Sequence, residues 1–104
     1  PYEGFYTIIN QITQTSDLLA RYVHKYFYDI VLHSQELYKV VKHGGFIHYI
    51  VGNSKFYDVM LPVESIFASI FQDVGFTNIS IKTIRKRTSK KELFEFLVSA
   101  QKPW

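Results

Sequence analysis

Between positions 17 and 43 the apolar residues Val23, Phe27, Ile30, Val31, Leu37, Tyr38 and Val41 recur at steps of three and four. That spacing predicts an amphipathic helix. Thr15, Ser16 or Asp17 can cap its start, Lys39, Lys42 and His43 suit the negative end of its dipole, and Gly44 offers a left-handed stop. Phe46 to Val51 follows as an almost unbroken apolar run, short and rich in β-branched and aromatic residues. It reads as a strand covered on both faces, the kind found in parallel sheets flanked by helices. Pro62 then suits the first turn of a second helix over 62–74, in which Val63, Ile66, Phe67, Ile70, Phe71 and Val74 keep helical spacing up to Gly75. Two more strands, 78–86 and 92–100, flank the polar turn Thr88 to Lys91 and can form an antiparallel pair. Phe5, Tyr6, Ile8, Ile9 and Ile12 permit a short opening helix, against which Gly4 counts near its start. Helix, strand, helix, strand, strand is an α/β unit ending in a hairpin.

Composition narrows this picture without redirecting it. A chain of 104 residues makes a single domain, and 47% hydrophobic with 17% aromatic residues is a core-forming composition. The absence of cysteine excludes disulfides, zinc-thiolate sites and thiol nucleophiles, and fits a reducing, cytoplasmic setting. No apolar stretch approaches the roughly 20 residues that span a bilayer, so no membrane partner is expected. The net charge of +3 is unevenly placed: Lys82, Arg85, Lys86, Arg87, Lys90, Lys91 and Lys102 face only Glu92 and Glu95 in the last quarter. Such an end attracts a polyanion, and it is equally what a solvated hairpin tip looks like.

Few residues carry candidate chemistry. The Gly44-Gly45 pair follows a helix and opens a strand, the reverse of a phosphate-binding loop, so it reads as structural. Gly52-Asn53-Ser54 lies at the carboxyl end of the predicted strand, where open α/β sheets place ligands; a plain polar turn is the other reading. His24, His33, His43 and His48 show no metal-ligand spacing, and no metal is expected. His48, inside the apolar run, needs a hydrogen-bond partner. No nucleophile elbow and no paired carboxylates are present. Arg85, Lys86, Arg87, Lys90 and Lys91, with Thr88 and Ser89 between them, suit phosphate contacts.

Three stretches, "ELYKVVKHGGFIHYIVGNSKF", "LPVESIFASIFQDVGFTNISIKTIRKR" and "KKELFEFLVSAQK", together resemble the C-terminal part of class I S-adenosylmethionine-dependent methyltransferases. The likeness is to the DNA amino-methyltransferases that modify adenine N6 or cytosine N4, including those of restriction-modification systems. In that family a helix ending in a V-L-K-P-G-G-like sequence precedes a strand that exits as V-G-N-S or V-G-D-S. A helix ending in G-F and an R-x-R-bearing strand pair follow. His43 stands here where the family has proline.

The resemblance implies a partial Rossmann-like methyltransferase fold: parallel strands 46–52 and 78–86 with antiparallel strand 92–100 between them. It implies S-adenosylmethionine as cofactor, DNA as partner, and Asn53 and Ser54 on the substrate side. Pro1-Tyr2 is similar to the tail of the family's Asp/Asn/Ser-Pro-Pro-Tyr motif, with Tyr2 stacking on an extruded base and Pro1 shaping the pocket. The Gly-rich loop that holds the cofactor has no counterpart, so 1–104 reads as one partial domain without its cofactor-binding half. Such a chain is expected to be inactive alone and to associate with a complementary methyltransferase segment or with itself. A non-catalytic nucleic-acid-binding or assembly module and an RNA methyltransferase fragment are the rival readings.

Overall fold

In a computed structural model, residues 4–56, 59–86 and 93–104 are described. The elements are α1 (Phe5–Thr15), α2 (Asp17–Val40), β1 (Phe46–Gly52), β2 (Ser54–Phe56), β3 (Val59–Leu61), α3 (Val63–Val74), β4 (Thr77–Lys86) and β5 (Phe94–Gln101). β1, β5 and β4 form a three-stranded sheet in that order, and β2 pairs with β3 in a separate two-stranded one.

Every ladder among the described residues is antiparallel. This corrects the expected α/β, Rossmann-like fold with parallel strands 46–52 and 78–86. β5 occupies the middle of the sheet and runs against both neighbours, so β1 and β4 never share a hydrogen bond and no parallel ladder forms. The architecture is a small antiparallel sheet with three helices.

Ser16 caps α2, its hydroxyl accepting from the Leu19 N–H at 3.2 Å. The helix ends at Val40, earlier than the expected 43, because Val41 turns extended while its N–H still reaches Leu37 O. Gly44 has φ 79 in the turn beyond, where the Gly45 N–H donates to Lys42 O at 2.8 Å. A side chain at Gly44 would collide with Trp104, whose ring lies 2.5 Å from where a Cβ would sit. α3 begins one residue after Pro62 and ends as the sequence indicates. Gly75 takes φ 126, its N–H bonds to Gln72 O, and the Phe76 N–H bonds to Phe71 O. Those two bonds satisfy carbonyls that the helix leaves open, and Phe76 packs edge-on against Phe71 at 5.9 Å.

The core lies between the helices and one face of the sheet. Ile47, Val98 and Ala100 are buried on that face, and Tyr49 contacts Phe67 and Phe71 of α3. Phe27 of α2 meets Phe67 edge-on at 6.3 Å and Phe5 of α1 at 5.7 Å, so one aromatic chain joins all three helices. Burial of each such ring is worth about 1.5–3 kcal/mol. The opposite face is less covered than expected for β1. Phe46 and Ile50 are 57% and 67% exposed, which corrects the idea of a strand buried on both sides. No helix among the described residues is long and apolar enough to cross a membrane.

Candidate functional site

The carboxyl ends of β1 and β4 and the start of β5 meet at one end of the sheet. In register, Gly52 faces Glu95, and Glu95 faces Arg85 on the far side. The exit of β1 and the cationic end of β4 are thus two strand spacings apart, roughly 10 Å. The two segments singled out in the sequence share this end.

Gly52, Asn53 and Ser54 have different roles there. Asn53 is buried, its Oδ1 accepts the Phe94 N–H at 2.8 Å, and its Nδ2 lies 3.5 Å from Met60 Sδ. It holds the exit of β1 against the start of β5. Gly52 and Ser54 instead line an open cavity of about 430 Å3. Tyr22, Tyr26 and Phe27 of α2 also line it, as do the apolar Ile50, Val51, Leu61 and Val63. That volume is within the range of small-molecule pockets. Burial pushes the Tyr26 hydroxyl above its ordinary range.

Arg85 donates through Nε to the Glu95 carboxylate, an ion pair across the ladder. Its guanidinium carries five N–H donors, more than one carboxylate oxygen uses. Lys82 and Lys86 are exposed along the same strand. Lys102 does not add to this charged end: it is buried, with Nζ 4.8 Å from the centre of the Tyr38 ring. Of the other expected site residues, Pro1, Tyr2, Arg87, Lys90 and Lys91 lie outside the described residues.

His48 finds its partner directly across the ladder, Nδ1 lying 2.7 Å from Ser99 Oγ. His33 Nε2 is 2.8 Å from the Tyr49 hydroxyl, and His43 Nδ1 is 3.2 Å from Pro103 O. These are structural contacts, and among the described residues no group of three or more acidic or histidine side chains could hold a metal. Beside the cavity, burial pushes the Glu64 carboxyl above its ordinary range, against the opposing pull of its own backbone N–H and Ser65. Its Oε1 is buried and has no hydrogen-bond partner among the described residues. Sequence reasoning missed Tyr22, Tyr26 and Glu64; the four-residue step between the tyrosines was the available signal.

α3 is the described helix that directly follows a strand, and Pro62 joins the two where a Gly-rich cofactor loop needs glycine. No protein-family profile and no curated protein matches the chain. A solved structure does: that of a Thermus thermophilus protein provisionally described as a DNA modification methylase. The match has a TM-score of 0.70 at 17% identity and covers 81% of this chain but 39% of that one. This chain shares the fold of part of a protein so described, and at that identity the likeness concerns fold alone.

Proposed function

We propose that the chain is the target-side portion of a DNA amino-methyltransferase, serving methyl transfer from S-adenosylmethionine to adenine N6 or cytosine N4. The observation that carries this reading is the meeting, at one sheet end, of the Gly52 to Ser54 exit, an open aromatic cavity and the cations of β4. The fold shared with part of a provisionally described methylase supports it. An exocyclic base amine is a poor nucleophile because its lone pair is delocalised into the ring. Acceptors held by a rigid strand end localise that lone pair, and the Ser54 hydroxyl is one such acceptor. Pro1 and Tyr2 take the shaping and stacking roles that the sequence resemblance gives them. DNA phosphates meet Arg85 and Lys86, with Arg87, Lys90 and Lys91 extending the same charge.

The methyl donor belongs to a complementary segment that supplies the Gly-rich loop, and the chain is inactive without it. Mixing the chain with such a segment and labelled S-adenosylmethionine tests the proposal: label should enter DNA, and more of it than enters RNA. Greater transfer to RNA would instead favour the RNA methyltransferase reading. Tight calorimetric binding of S-adenosylmethionine by the chain alone would overturn the assignment of the donor site to another segment. A non-catalytic nucleic-acid-binding module is the second reading, favoured by Asn53, whose side chain is engaged in holding β5. DNA binding without transfer in any such mixture would select it.

A further inference from the structure

Tyr22 and Tyr26 stand one turn apart on the same face of α2, both lining the cavity at the β1 exit. They are 64% and 49% exposed. Two adjacent aromatic side chains left open to water at the mouth of a cavity form a patch that calls for an occupant. Tyr26 is held in place, its ring 5.0 Å from Phe27 at 78° and 6.5 Å from Phe67. Gly52 and Ser54 line the same cavity, together with the apolar Ile50, Val51, Leu61 and Val63. Two tyrosine rings in a cavity that also holds a hydroxyl-bearing residue suit the face and edge of a flat heterocycle. The cations Arg85 and Lys86, at the same sheet end, supply what a phosphodiester chain needs and an apolar partner does not.

We propose that Tyr22 and Tyr26 form a stacking platform for an unstacked nucleobase of single-stranded or extruded nucleic acid, with Ser54 contacting the base edge and Arg85 and Lys86 the adjoining phosphates. The platform rests on the nucleic-acid reading of this sheet end and is separate from the stacking assigned to Tyr2. Stacking is tolerant of base identity, so the site contributes affinity and holds the strand in place rather than reading sequence.

A short single-stranded oligodeoxynucleotide carrying 2-aminopurine is the probe, titrated into the whole chain. Stacking quenches its fluorescence on binding. Tyr22→Ala with Tyr26→Ala should weaken binding roughly tenfold or more and abolish the quench. The corresponding double Phe variant should keep both, which separates loss of the platform from loss of the fold. Lys86→Ala should flatten the salt dependence while leaving the quench at saturation intact. Unchanged affinity and quench in the folded double Ala variant would overturn the platform while leaving the wider nucleic-acid reading standing. A wild-type chain that does not bind the probe would overturn both. Binding of the probe by the wild-type chain with no quench would place the base elsewhere and also overturn the platform.

Discussion

The two edges of the three-stranded sheet are built on opposite plans. β1 presents Phe-Ile-His-Tyr-Ile-Val-Gly, without a formal charge, with Phe46 and Ile50 open to water. β4 carries Lys82, Arg85 and Lys86, and its ladder with β5 shifts register between Thr77 and Ser80 and again between Thr83 and Arg85. Charge and irregular register are how sheets discourage a further strand, and an uncharged, regular edge invites one. The sheet is therefore finished on the β4 side and unfinished on the β1 side. On this comparison, the complementary segment proposed above belongs along β1.

Breaking the β1 plan has the largest expected effect. By sedimentation, the isolated chain should self-associate through this edge, and Ile50→Lys should weaken that association roughly tenfold or more. Ile84→Lys, on the already charged β4, should leave it unchanged. A wild-type chain that stays monomeric at high concentration would remove the contrast between the edges. Next comes the tie between β1 and the middle strand. Asn53→Ala leaves the half-buried Phe94 N–H without its acceptor and should cost about 1–3 kcal/mol in denaturant unfolding.

On the guarded edge, Arg85→Ala with Lys86→Ala should weaken DNA binding and reduce the slope of affinity against salt by about 1 to 2. Binding unchanged across salt concentrations would reduce these residues to edge guards. The smallest effect is expected behind the β1 exit, at Glu64. Folding favours its protonated form, so its contribution is fully present below the ordinary glutamate range and is lost as pH rises through the raised value. Glu64→Gln should melt slightly above the wild type at neutral pH and level with it at about pH 3. Equal melting at both would show the carboxyl to be solvated.

The elements that could be read from the sequence are those whose periodicity and termini agree. α3 combines six apolar residues at helical spacing with a glycine that the terminating bonds need, so its end at Gly75 was visible. β1 was visible as a strand but not as an edge, because an apolar run records what can be buried, not what covers it. β2 and β3, three residues each, are too short for a period to show. Counting charge placed Lys102 with the basic end, whereas its stem and ammonium settle on Tyr38. At the candidate site, the sequence singled out Gly52 to Ser54 and Arg85 to Lys86, segments that share one sheet end. It could not distinguish Asn53, which bonds inward, from Ser54, which lines the cavity. The tyrosines of α2 gained meaning only once the helix was seen to pass beside the β1 exit.

The position of β5 sets a timetable for folding. The central strand comes after both of its neighbours in the sequence, and its end is bound to the turn that opens β1: Gly44 N–H to Lys102 O at 2.9 Å and Lys102 N–H to Gly45 O at 2.8 Å. Among the described residues β1 and β4 have β5 as their ladder partner, so the three helices can pack before the three-stranded sheet closes. Only the arrival of residues 94–102 joins the two strands, through contacts far apart in sequence, from Gly52 with Glu95 to Phe46 with Gln101. Until then β1 lacks its β5 ladder, and its apolar residues are at greatest risk of aggregation.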